Sequence, residues 1–235
     1  MNRKVYLDHN ASTPVHPEVV QAMLPYWSER FGNPSSVHGF GREAREGLET
    51  AREQVAHFLR VGKEEIVFTS GGTESDNMAI KGVAMGRGRG HLITSKIEHH
   101  AVLRAVQNLE TLGFEATYLD VDGDGLVDPE AVRQAIRPDT ILISIMHANS
   151  EIGTIQPARE IGAIAREHGI PFHVDAVQTF GKAPIDLDAF NIDMLSFSAH
   201  KIYGPKGVGA LYVRRRNPRV QLTAQMDGGG HERGM

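Results

Sequence analysis

The chain has 235 residues, 40% of them hydrophobic and 23% charged, with a net charge of −4. That is the composition of a globular protein with one large domain, or one domain and part of another, and it leaves no electrostatic footprint for nucleic acid, since the densest basic run, Arg214-Arg215-Arg216, reads as a solvated loop. Cysteine is absent, which excludes disulfides and Cys-based metal sites; the start MNRKVYLDHN lacks the apolar run of a signal peptide and residues 141–146 are too few to span a bilayer, so a cytoplasmic protein with no membrane partner is expected.

In chain order, residues 5–7 read as a short strand, followed by an irregular stretch through Pro14. Pro17 suits the first turn of a helix running toward Trp27. Gly32-Asn33-Pro34-Ser35-Ser36 is a loop by composition. From Arg42, apolar residues at 44, 48, 51, 55 and 59 predict a long amphipathic helix. The chain then alternates. Strands are expected at 65–69, 91–94, 115–119, 141–146, 172–174, 194–197 and 209–213, with helices at 74–85, 101–112, 129–136 and 158–167, the last ended by Gly169. Such alternation predicts an α/β fold of three layers, α/β/α, with a mostly parallel mixed sheet covered on both faces. In such sheets the chemistry gathers at the carboxyl ends of the strands.

Three strand ends carry chemistry-bearing residues. Thr69-Ser70-Gly71-Gly72-Thr73-Glu74 joins a strand to a helix; its glycines and the free N–H groups of the helix start suit an anion, although a plain glycine turn fits the residues equally well. It is no nucleotide P-loop, because no Gly-Lys-Ser/Thr follows. Asp175, in Phe172-His173-Val174-Asp175-Ala176-Val177-Gln178, ends an apolar strand, where a carboxylate is costly unless paired. A protonated pyridine nitrogen is one suitable partner; a capping role is the other reading. Lys201, in Ser196-Phe197-Ser198-Ala199-His200-Lys201, follows an apolar strand and precedes Gly204-Pro205-Lys206-Gly207. Burial there favours the neutral amine, placed to form an imine with an aldehyde.

Together these blocks resemble the NifS/IscS-type cysteine desulfurases, within the class V aminotransferase group of fold type I pyridoxal phosphate (PLP) enzymes. TSGGTESDN, SKIEHHAV, SIMHANSEIG, HVDAVQ and SFSAHKIYGPKGVGALYVRR carry the resemblance, with YLDHNASTPV, FGNPSSVHGFGREA and GGGHERGM. The resemblance implies that Lys201 holds PLP as a Schiff base, that Asp175 pairs with the pyridine nitrogen and that Gln178 bonds the phenolic oxygen. It also implies that His99 stacks on the ring and moves protons, and that Gly72, Thr73, Ser198 and His200 hold the phosphate. The implied reaction converts L-cysteine to L-alanine with sulfur passed to an enzyme thiolate, for iron–sulfur cluster assembly or other acceptors. The implied partners are a second copy of the chain and a sulfur-acceptor or iron–sulfur scaffold protein. By the same resemblance, residues 1–15 belong with a small domain and 16–235 form the PLP-binding large domain, with the C-terminal small domain absent.

Some positions depart from the pattern. Ser150 stands where the family has a second Asn that contacts the ring, and Ala199 where Gly is common. With no thiol, this polypeptide cannot itself become a persulfide, so an incomplete desulfurase is expected: a fragment, a truncated product or one half of a split enzyme. An inactive PLP-binding scaffold and another class V enzyme, such as a selenocysteine lyase, are the alternatives. Asp120-Val121-Asp122-Gly123-Asp124-Gly125 imitates the start of a calcium loop but has Ala131 where Glu is needed, so a turn is expected. The histidines 99, 100, 147 and 173 lack HExxH spacing, and no metal site is predicted. Met78, Met85 and Met146 are expected to fill the core.

Overall fold

The computed structural model describes residues 4–235; residues 1–3, the start of the expected segment 1–15, lie outside the described residues. Helices α1 (Pro17–Met23), α2 (Pro25–Ser28) and α3 (Gly39–Leu59) come first, then β1 (Ile66–Thr69), α4 (Gly72–Arg87), β2 (His91–Ser95), α5 (His100–Thr111) and β3 (Glu115–Leu119). α6 (Pro129–Ala135), β4 (Thr140–Ser144), α7 (Ala158–Glu167), β5 (Phe172–Asp175), β6 (Met194–Ser198) and β7 (Gly209–Val213) follow.

The strands form one seven-stranded sheet in the order β1-β7-β6-β5-β4-β2-β3. Only β7 runs antiparallel to its neighbours, so the expected mostly parallel mixed sheet is the one observed. Alternation along each strand sends successive side chains to opposite faces. Ile66, Ile93, Ile143, Leu195 and Tyr212 meet Ala56 of α3, Val132 of α6 and Ile161 of α7 on one face. Val67, Leu92, Leu142, Met194 and Leu211 meet Met78 and Ile80 of α4 and Val102 and Leu109 of α5 on the other. Each fully buried Ile, Leu or Val contributes about 1.5–3 kcal/mol relative to exposure, so two apolar layers fix which way every strand faces.

Several expectations are corrected. Residues 5–7 form no strand; Val5, Tyr6 and Leu7 are exposed, and a short run with no paired edge has nothing to hold it extended in a sheet. The single helix from Pro17 toward Trp27 is two, because Pro25 cannot donate a backbone hydrogen bond and begins a new turn. Met85 is exposed near the end of α4, beyond the apolar layer that buries Met78. Arg214 is buried rather than solvated. Its guanidinium donates to Asp188 Oδ1 at 2.9 Å and to the carbonyls of Leu187 and Ile192, and lies 3.2 Å from Asp193 Oδ1. At Asp122 the predicted turn is present, its Oδ1 accepting from the N–H groups of Asp124 and Leu126.

Candidate active site

The parallel strands β1, β2, β4, β5 and β6 all end on the same side of the sheet, and the loops leaving them enclose a cavity of 270 Å³. From the β1 exit come Gly72 and Thr73, from β2 His99, and from β4 Met146, Ala148 and Ser150. From β5 come Asp175, Val177 and Gln178, and from β6 His200 and Lys201. Larger clefts of 630 Å³ and 750 Å³ lie beside the C-terminal segment and along α3, but neither holds a lysine or a buried carboxylate.

Gly72 and Thr73 are the first residues of α4, whose leading N–H groups have no intrahelical carbonyl to reach. A side chain is impossible at Gly72 without rearrangement, since its Cβ would stand 2.6 Å from Val177 Cγ2. This close approach seats the α4 terminus against the β5 loop. Asp175 is 7% exposed at the end of β5, and its Oδ1 accepts from the Val177 N–H at 2.9 Å. Burial is the largest influence and leaves its carboxyl raised, although that hydrogen bond, His99 and Lys201 pull it down. Lys201 ends the short 3-10 turn Ala199–Lys201. Burial and the neighbouring Lys182 lower its ammonium below the ordinary lysine value, which enlarges the neutral fraction near neutrality. His200 is lowered by burial and by Lys201 and Lys206.

His99 caps α5, its Nδ1 accepting from the Ala101 N–H at 3.1 Å, which orients the ring at the cavity wall. Of the predicted site residues, Gly72, Thr73, His99, Asp175, Gln178, His200 and Lys201 all line the one cavity. Ser198 does not: it is 2% exposed, with its Oγ 3.9 Å from where a Cβ on Gly71 would stand. Ser150, the departure from the family pattern, is on the wall.

The N-terminal segment crosses the mouth. The Asn10 carbonyl accepts from Gln178 Nε2 at 3.0 Å and from Lys201 Nζ. Thr13 is fastened to the lysine turn, donating from N and from Oγ1 to the His200 carbonyl, each at 2.9 Å, and accepting from the Tyr203 N–H. Ala11 lines the cavity.

Sequence reasoning missed the acids beneath. Asp76 of α4 is 1% exposed and lines the cavity. Glu98, 5% exposed, accepts through Oε1 from Ser95 Oγ and the Met146 N–H, and burial pushes its carboxyl up to about 8. Among the described residues, Asp76 Oδ1 and Glu98 Oε2 have no hydrogen-bond partner. A signal existed for Asp76: it sits within the otherwise apolar, buried face of α4 beside Ala79, Ile80 and Val83.

The aminotransferase class-V family model matches residues 5–233. The chain belongs to that family. Among its relatives, the cysteine desulfurase IscS of Anaeromyxobacter dehalogenans is 56% identical over 238 residues, covering 100% of this chain and 58% of the relative. The cysteine desulfurase IscS of Dictyoglomus turgidum is 59% identical over 218 residues, covering 92% of this chain and 55% of the relative. The chain thus spans little more than half the length of these relatives. Among solved structures, SspA in complex with cysteine superposes with a TM-score of 0.94 at 50% identity, covering 97% of this chain and 66% of that one. A NifS-like protein gives 0.94 at 44% identity, covering 99% and 64%. The expected resemblance to NifS/IscS desulfurases is therefore found along the whole chain, and no helix among the described residues is long and apolar enough to cross a membrane.

Proposed function

We propose that residues 16–235 form the PLP-binding domain of a cysteine desulfurase, acting on L-cysteine with a thiol that these 235 residues do not contain. The observation that carries the reading is the pairing of Asp175 and Lys201 on one cavity: a buried carboxylate at its wall and a lysine with an enlarged neutral fraction beside it. The residues fit the group at each of its ends. The α4 terminus at Gly72 and Thr73, with His200, suits a phosphate; Asp175 suits a cationic ring nitrogen; Lys201 suits the aldehyde carbon; Gln178, whose Nε2 bonds the Asn10 carbonyl, has a second amide hydrogen for a phenolic oxygen. Ser198, behind Gly71, would support the phosphate turn rather than line the cavity.

Bound there, PLP would supply an electron sink for the carbon that loses its α-proton. The chain's own residues do the rest. Asp175, itself buried, would stabilise a positive charge on the ring nitrogen. Lys201 accepts and returns a proton at Nζ, and its lowered proton affinity keeps it competent near neutrality. His99, fixed by its hydrogen bond to Ala101, presents its free nitrogen to the cavity as a second proton carrier. The Asn10 carbonyl, in contact with Lys201 Nζ, orients that amine at the mouth.

The curated relatives are named cysteine desulfurases and one solved relative is described in complex with cysteine, which supports cysteine as substrate. A dimer of two such chains and a sulfur-acceptor or iron–sulfur scaffold protein are the partners this reading calls for, in the cytoplasm. The second reading is a PLP-binding scaffold or another class V reaction such as that of a selenocysteine lyase. The deciding experiment adds PLP to the purified chain, then cysteine or selenocysteine with an external thiol. The proposal expects a visible band of lysine-bound PLP that Lys201→Ala lacks, and alanine released from cysteine. A folded chain that stays colourless would overturn PLP binding; colour without alanine from cysteine would favour the second reading.

A further inference from the structure

Under the cavity lie buried carboxyl groups that the chemistry above does not use. Asp76 is 1% exposed and lines the cavity with Asp175, yet no lysine or arginine among the described residues pairs with it. Its Oδ1 has no hydrogen-bond partner among the described residues. The nearest basic atom is His173 Nε2 at 3.6 Å. That ring is already held on both sides, with Nδ1 2.8 Å from Ser144 Oγ and Nε2 2.9 Å from Ser196 Oγ. A neutral imidazole bridges two hydroxyls in this way by donating from one nitrogen and accepting at the other.

Two carboxylates buried in one dry region cannot both ionise at ordinary cost. Asp175 has what an anion needs: the Val177 N–H at 2.9 Å, and Lys201 and His99 across the cavity. Asp76 has none of these. We propose that Asp76 carries a proton at neutral pH, which leaves the pair's single negative charge on Asp175, the carboxyl that has an N–H donor and faces Lys201 and His99. Its usefulness to the ring rests on the PLP reading; the proton itself does not.

The groups around Asp76 agree. From β5, Asp175 repels a second charge, and His173, pushed down to about 3 by burial, offers no cation. From the β2 exit, Glu98 adds a further like charge whenever it ionises. From β6, the Ser196 hydroxyl is the one group that favours the ionised form. Burial, the largest influence, raises Asp76 well above the usual carboxylate range.

Infrared difference spectra of the full chain at neutral pH, with and without PLP, test this. The native protein should show the carbonyl stretch of a neutral carboxylic acid that Asp76→Asn removes and that moves on labelling aspartate carboxyls with 13C. Glu98→Gln should remove a separate component. With PLP added, Asp76→Asn should hold it within about threefold of native and leave the pH midpoint of the visible band in place, while Asp175→Asn should weaken retention about tenfold or more. An acid band that ignores the aspartate label, a loss confined to carboxylate bands in Asp76→Asn, or a midpoint moved by about one pH unit or more would each overturn the inference. Should Asp76→Asn fail to fold, Asp76→Glu decides: its acid band should no longer move with the aspartate label, and a band that still moves belongs to another aspartate and overturns the inference. Failure of the PLP reading would appear separately, as native protein without the visible band.

Discussion

The two ends of the sheet treat buried charge in opposite ways. At the end where β6 begins and β7 finishes, the guanidinium of Arg214 meets Asp188, Asp193 and two carbonyls, and Asp193 Oδ2 also accepts from the Phe172 N–H. At the end where β5 and β6 finish, Asp76 and Glu98 keep carboxyl oxygens with no partner, and Asp175 has one hydrogen bond. A satisfied buried charge holds a fold together; an unsatisfied one costs stability and is retained where a ligand or a proton completes it. The contrast separates scaffold from site.

The largest effect that would test this contrast is at Lys201. Lys201→Ala should abolish the visible band of added PLP while thermal unfolding of the chain alone stays within a few degrees of native. A variant that kept the band would place the reactive amine elsewhere. At the opposite end, Arg214→Ala should cost about 1.5–3 kcal/mol, because the buried Asp193 loses one of its two arginines but keeps Arg166 and the Phe172 N–H. Denaturant unfolding measures it, and the PLP band of the remaining folded protein should be unchanged.

Glu98→Gln sharpens the comparison through pH. A folded-state value of about 8, above the ordinary 4.5, means that the native state binds a proton more tightly than the unfolded chain. That contribution is fully present below about pH 4.5 and is lost as pH rises toward 8. Native stability should therefore fall relative to Glu98→Gln across that window, by on the order of a few kcal/mol in total. Parallel urea curves at pH 5 and pH 8 that differ equally for both proteins would exclude a neutral Glu98. The smallest effect is expected at Asp122→Ala, in a solvent-exposed turn that lines neither cluster, at about 0.5–1 kcal/mol with no change in PLP uptake.

Much of this was legible before folding. Short continuous apolar runs such as residues 209–213, buried on both faces, and 3.6-period runs such as those from Arg42 place strands and helices because apolar burial dominates their energy. Gly72, Asp175 and Lys201 stood out because each interrupts a pattern at a strand end. Arg214 was misread because its local context, three consecutive arginines, carries no trace of Asp188 and Asp193, which reach it only across the fold. Residues 5–7 were misread because a short apolar run becomes a strand only beside an open sheet edge, and local sequence does not reveal one.

By itself the sequence determined the alternation of elements, the parallel sheet and the residue types at each strand end, since these follow from local periodicity and from the chemistry of single side chains. Tertiary structure alone decided that Asn10 bonds both Gln178 and Lys201, that Ser198 stands behind the cavity wall, and that Asp76 and Glu98 lie beneath Asp175. Those arrangements depend on which strands become neighbours. Residues far apart in the chain meet there at a distance set by the packing of the sheet, and proton affinity in a dry site depends on that distance more than on the residue's own identity.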